Sequence, residues 1–268
     1  MRFKITLKVN EGALGRKLPL NYQYELSAAV YRILASKDKE FAYWLHENGF
    51  QTEKGKIFKL FTFSRLFPEK FRLLRQSNQL ELLSDTVEWQ IGFLPQKSTQ
   101  QFIEALFQNW VFEVGNKQSA VQFEMGGMEL LPPPVFSESM SFETLSPITV
   151  SQKDALLRDC YPKNGEEFNN SPWIRERLLH NLLDKFEAFN GHPFEGEKHL
   201  DFNALTEPKS SLVTIKAGTP QETKVRGFMC KLDLHCPKEL MQIAYECGLG
   251  EANSQGFGCL GMEKETKR

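Results

Sequence analysis

Val225-Arg226-Gly227-Phe228-Met229-Cys230-Lys231-Leu232-Asp233-Leu234-His235-Cys236, followed by Pro237-Lys238-Glu239-Leu240-Met241-Gln242-Ile243-Ala244-Tyr245-Glu246-Cys247, is the stretch that decides the fold. Phe228, Cys230, Leu232, Leu234 and Cys236 recur at every second position, the period of a strand with one buried face. Beyond Pro237 the period changes. Leu240, Ile243, Ala244 and Cys247 fall on one stripe of a helix, and proline suits its first turn, where an N–H would go unpaired anyway. A last strand is predicted over Phe257–Glu263. Upstream lie strands near His199–Leu205 and Leu212–Lys216, a helix over Pro172–Phe189 carrying Ile174, Leu178, Leu182 and Phe186, and an opening strand at Ile148–Ser151.

The N-terminal half repeats this order. Phe3, Ile5, Leu7 and Val9 alternate with Arg2, Lys4 and Lys8 in a first strand. A helix over Tyr22–Ser36 buries Leu26, Ala29, Val30, Ile33 and Leu34, with Tyr24, Ser27 and Tyr31 to one side of that face. Asp38 can cap a short helix through Phe41, Trp44 and Leu45 that stops at Gly49. Strand-like segments follow at Ile57–Phe63 and Leu80–Phe93. Ser98 with Gln101 reads as a capping box opening a helix with Phe102, Ile103, Leu106, Phe107 and Trp110 on one side. Val111–Val114 and Ala120–Met125 close the half. Pro132-Pro133-Pro134 breaks the chain, so domains are expected at 1–134 and 135–268. The expected fold class is α+β: two tandem ferredoxin-like β-α-β-β-α-β domains, an order that single-strand RNA binders also use.

Bulk properties narrow the function. Thirty-three Lys and Arg against 34 Asp and Glu exclude a protein that coats nucleic acid over its whole surface. A local patch remains available: between Gln51 and Gln76 seven bases (Lys54, Lys56, Lys59, Arg65, Lys70, Arg72, Arg75) face two acids (Glu53, Glu69), 7 − 2 = +5. No run of about 18 apolar residues is present, so no membrane span is expected, and the N-terminus lacks a signal-peptide pattern; the expected location is cytoplasmic. Five cysteines (Cys160, Cys230, Cys236, Cys247, Cys259) without a CxxC pair argue against disulfides or structural zinc. His192, Glu195, Glu197 and His199 match no standard ligand spacing, so neither metal nor other cofactor is expected.

The segment Gly248-Leu249-Gly250-Glu251-Ala252-Asn253-Ser254-Gln255-Gly256-Phe257-Gly258 carries four glycines between a helix end and a strand. Glycine permits positive φ and lets backbone N–H groups approach a phosphate, although Gly248 also suits a plain helix stop and Gly256 a plain turn. The whole string resembles the glycine-rich C-terminal signature of the RAMP superfamily, the repeat-associated RNA-binding proteins of CRISPR systems, and particularly its repeat-processing endoribonucleases. Asn21-Tyr22-Gln23-Tyr24 with Tyr31, Tyr43-Trp44-Leu45-His46-Glu47, Lys59-Leu60-Phe61-Thr62-Phe63-Ser64 and Leu145-Ser146-Pro147-Ile148 are similar to further family segments. Inserted loops around Tyr161–Asn170 and Asn190–Glu197 fall outside the likeness.

The resemblance implies a tyrosine, a histidine and a lysine that cut RNA, at Tyr31, His46 and Lys59. It implies RNA contacts at Gly248, Gly250, Asn253, Ser254, Gly256, Phe257 and Gly258; Lys54 and Lys56 of the basic segment could join them or reach the same phosphate as Lys59. The implied chemistry is attack of a ribose 2′-OH on the adjacent phosphate, leaving a 2′,3′-cyclic phosphate and a 5′-OH. That requires a base, an acid and positive charge. His46 in a last helical turn suits the acid. Tyr31 would orient or deprotonate the 2′-OH and Lys59 would hold the non-bridging oxygens. The implied partners are CRISPR repeat RNA and, more loosely, other CRISPR-associated proteins or a second copy of the chain. Two other classes stay open: a non-cleaving repeat-RNA subunit of a ribonucleoprotein complex, and a small-molecule phosphate enzyme on the same fold.

Overall fold

A computed structural model describes residues 1–108, 111–151, 162 and 164–263. Trp110, Cys160, the start of the loop at Tyr161 and the side chain of Phe107 lie outside the described residues. The first sheet runs in the order Val111–Gly115, Ala120–Leu131, Arg2–Val9, Thr86–Phe93, Phe61–Phe63, with every neighbouring pair antiparallel. Counting Arg2–Val9, Phe61–Phe63, Thr86–Phe93 and Ala120–Leu131 as strands one to four, the order is 4-1-3-2. The helices Gln23–Lys37 and Gln96–Gln108 cover one face, where Phe3, Ile5, Leu7, Trp89, Phe93 and Phe102 form the core. The second sheet, Asp201–Ala204, Lys231–His235, Ser139–Thr144, Leu260–Met262, is the same 4-1-3-2 order read from its other edge. It carries the helices Pro172–Asn190 and Lys238–Cys247. Both halves are therefore ferredoxin-like.

Several elements differ from expectation. The second half opens with Ser139–Thr144, which places Met140 and Phe142 inward; Ile148 makes only a single bridge to Phe228. The alternation over Val225–Cys236 belongs to two strands, Thr223–Met229 and Lys231–His235. They part at Cys230, whose backbone N–H and carbonyl both bond Thr144 Oγ1 (3.0 and 3.1 Å). The first of the two pairs with Lys209–Ile215 in a hairpin outside the second sheet. Ile57–Phe63 is likewise broken, because Leu60 takes φ 53° and enters the second core while Phe61 and Phe63 enter the first. Leu80–Phe93 divides into Gln79–Leu82 and Thr86–Phe93. The capping box is absent: this helix begins at Gln96, and the Ser98 hydroxyl is buried without a partner among the described residues.

The halves meet over a buried arginine. Arg2, 2% exposed, donates to the carbonyls of Leu260 and Tyr245, and its guanidinium lies 4.0 Å from the centre of the Tyr245 ring. The basic run between Gln51 and Gln76 is not one patch. Arg65 reaches Ser211 (2.5 Å), Arg72 pairs with Glu81 on the Phe71–Leu82 hairpin, and Lys56 pairs with Asp184 of the other half.

Candidate RNA-cleaving site

Asp38 caps the Lys39–Glu47 helix by accepting from the Phe41 N–H at 2.9 Å, and this sets His46 in the last turn. There the helix dipole favours a cation. The Tyr31 ring, on the preceding helix, stands edge-on to the His46 ring with centroids 5.0 Å apart. Lys59 donates to the His46 backbone carbonyl. Thus Tyr31, His46 and Lys59, drawn from two helices and the broken strand, converge. His46 is 61% exposed, with Nδ1 2.8 Å from Glu47 Oε1, so Nε2 is the nitrogen left to face a ligand. Glu47 is a contributor that the sequence reading missed, since adjacent helical positions normally point apart.

Burial raises the Tyr31 pKa above the ordinary phenol value, only partly opposed by a hydrogen bond with the Ser254 side chain. A phenol that keeps its proton in this way is suited to orienting the RNA by a donated hydrogen bond more than to deprotonating the 2′-OH. Burial lowers the Lys59 pKa, against the pull of Glu47.

The glycine-rich loop closes the site from the second half. The Ser27 hydroxyl donates to the Ser254 carbonyl at 2.6 Å, and Tyr24 packs on the small cluster of Val213, Ile215 and Phe257. The side of the helix that carries Tyr24, Ser27 and Tyr31 is therefore the docking face for the loop. Gly248, Gly250, Asn253, Gly256, Phe257 and Gly258 are buried, and among the expected RNA contacts here only Ser254 is partly open. A Cβ on Gly258 (φ 69°) would fall 2.0 Å from the Leu249 carbonyl, and one on Gly256 (φ 87°) 2.8 Å from the Phe63 ring. These glycines shape the loop from beneath. The Asn253 amide ties it to the Phe257 carbonyl at 3.1 Å, and Lys185 Nζ ties it to the carbonyls of Gly248 and Gly250 at 2.7 and 2.9 Å. Lys185 had no place in the sequence reading; among apolar helix neighbours it resembles a surface lysine. Lys54 is exposed at the turn of the Phe50–Phe58 hairpin. Among the described residues no group of three His, Cys, Asp or Glu could hold a metal ion, and no helix is long and apolar enough to cross a membrane.

Two ferredoxin-like halves with a glycine-rich loop docked on the first helix define a RAMP-type protein. Residues 17–123 match the family described as CRISPR-associated protein Cas6, N-terminal, and residues 131–262 match CRISPR associated protein Cas6, C-terminal. The chain belongs to the Cas6 family. It is 26% identical over 274 residues to the CRISPR-associated endoribonuclease Cas6 1 of Methanocaldococcus jannaschii, covering 96% of this chain and 91% of that protein. It is also 26% identical over 273 residues to the CRISPR-associated endoribonuclease Cas6 of Pyrococcus furiosus, covering 100% and 92%. In fold it resembles a Cas6-related protein from Pyrococcus furiosus, with a TM-score of 0.78 at 22% identity over 99% of each chain. A RAMP protein described as binding different RNA substrates superposes with a TM-score of 0.74 at 20% identity over 98% of this chain and 100% of that one.

Proposed function

We propose that the chain is an endoribonuclease that binds CRISPR repeat RNA and cuts the precursor transcript within the repeat, with domains divided at Pro132–Pro134 and a cytoplasmic location. The observation that carries this reading is the convergence of His46, Tyr31 and Lys59 beneath a loop from the other half, in a family whose curated relatives bear the name endoribonuclease. His46 Nε2 protonates the leaving 5′-oxygen while Glu47 orients the ring through Nδ1. Tyr31 donates a hydrogen bond to the scissile phosphate, and the 2′-hydroxyl proton passes to solvent water as that oxygen attacks phosphorus. Lys59 leaves the His46 carbonyl to neutralise the charge that builds on the phosphorane. Lys54 and Lys56, with the partly open Ser254, contact the flanking backbone. The reaction needs no metal, and its products are a 2′,3′-cyclic phosphate and a 5′-OH.

His46→Ala is expected to slow single-turnover cleavage by roughly 10²–10⁴-fold and to leave RNA affinity nearly unchanged. Replacing the 2′-OH by hydrogen at the scissile nucleotide should abolish cleavage without abolishing binding, and excess EDTA should have no effect. Normal cutting of the 2′-deoxy substrate, or its loss on chelation, would point to water attack at a metal centre and sink the assignment.

A further inference from the structure

Arg177, Asn181 and Lys185 recur at i, i+4 and i+8 on the Pro172–Asn190 helix, so they form one stripe. The stripe lines a cleft of about 540 Å³ between the halves, within the roughly 300–1,000 Å³ of small-ligand clefts. The opposite wall brings Lys56, Lys59 and Phe61, and the loop brings Ser254. Three of these touch the candidate catalytic residues: Lys59 bonds the His46 carbonyl, the Phe61 ring centre is 5.8 Å from that of Tyr31, and Ser254 bonds the Tyr31 phenol. The cleft therefore adjoins the position of the scissile phosphate.

Its polar groups are incompletely paired. Asn181 is 4% exposed and its Oδ1 has no hydrogen-bond partner among the described residues; Arg177 Nε also has none. The Lys185 ammonium, 2% exposed, meets two carbonyls and no carboxylate within 4 Å among the described residues. Lys56 is paired with Asp184, and Glu251 is held by Arg177 at 3.2 Å and by Ser151 at 2.6 Å. A buried acceptor and an uncompensated buried cation side by side call for a ligand that offers a hydroxyl donor and a negative charge.

Resting on the endoribonuclease reading, we propose that this cleft seats the RNA nucleotide adjoining the scissile phosphodiester: Arg177 and the charge of Lys185 face its phosphate, and Asn181 Oδ1 accepts a hydrogen bond from its 2′-hydroxyl. The stripe is then a recognition surface for ribose, which distinguishes RNA from DNA one nucleotide away from the cut.

The test uses RNA made uncleavable by a 2′-deoxy scissile nucleotide, into which a second 2′-deoxy position is introduced at each flanking nucleotide in turn. With the full-length protein, one flanking position should raise Kd about tenfold. Asn181→Leu should bind the reference RNA about tenfold more weakly and show no further loss at that position. Arg177→Gln, exposed enough to fold whatever Asn181→Leu does, should lower the slope of log K against log salt by about one. A flat scan in the wild type, a loss that persists in Asn181→Leu, or an unchanged salt slope in Arg177→Gln would each overturn the assignment. A wild-type protein that cuts RNA but gives a flat scan overturns the cleft alone; one that neither binds nor cuts repeat RNA overturns the endoribonuclease reading and the cleft with it.

Discussion

Lys185 shows what a single buried ammonium does to its surroundings. Burial drives its pKa down from 10.5 to about 8, with Lys56 adding to the effect and Cys247 and Glu251 opposing it. The unfolded chain holds that proton up to about pH 10.5, so between these values it binds more protons than the folded protein, and rising pH favours folding. Relative to Lys185→Met, wild-type protein should gain roughly 2 kcal/mol between pH 7.5 and pH 10 in urea unfolding. The Cys247 thiol, raised by burial to about 11, loses its proton in the unfolded chain within this range, and the comparison with Lys185→Met cancels that contribution because both proteins carry it. A constant difference between the two proteins across that range would mean the amine is not buried as a cation. His46 was legible in the sequence because a capped short helix puts it in the last turn. Glu47 and Lys185 were not, because their roles depend on a rotamer and on a loop 63 residues away.

At the scale of elements, the glycine-rich loop was found from its residues but its burial against the first half was not. Glycine spacing is compatible with phosphate contact and with tight packing, and only burial separates the two. Gly256 sits at positive φ against Phe63 and Gln23. Gly256→Val should therefore destabilise the fold by roughly 3 kcal/mol through strained backbone and overpacking. An unchanged urea midpoint together with weakened RNA binding would restore a direct contact there. The missed strand Ser139–Thr144 offers only Met140 and Phe142 among polar residues, a weak alternation at any threshold. The break at Cys230 is invisible for the opposite reason. The alternation runs on unbroken through Val225–Cys236, and it takes Thr144 from another strand to redirect the chain. Both helical stripes in each half, by contrast, were long enough to read directly.

For the whole molecule the decisive contact is Arg2, a first-strand residue that the alternation assigned to the polar face. Polar it is, but the face is covered by the other half, and its guanidinium meets the Leu260 and Tyr245 carbonyls there. Removing it leaves buried acceptors unpaired across the junction. Arg2→Met should cost about 2–4 kcal/mol and resolve one cooperative unfolding transition into two, followed by intrinsic fluorescence against helical circular dichroism. A single transition with an unchanged midpoint would show that apolar packing alone joins the halves.

The contact between Ser254 and the Ser27–Tyr31 face also has a consequence in time. A growing polypeptide carries His46 and Lys59 long before it carries Ser254, which follows Lys59 by 195 positions (254 − 59). Tyr31 and its neighbours must wait, unbraced, until the last part of the glycine-rich segment has been made and has docked. If that brace is needed for cleavage, the first domain is expected to be made as a silent precursor, with competence to cut arriving late. Chains released before Gly248 should leave repeat RNA intact even when His46 and Lys59 are present and folded, a delay that spares transcripts from half-made enzyme. Cutting by a folded fragment of residues 1–134 would show that the brace is dispensable.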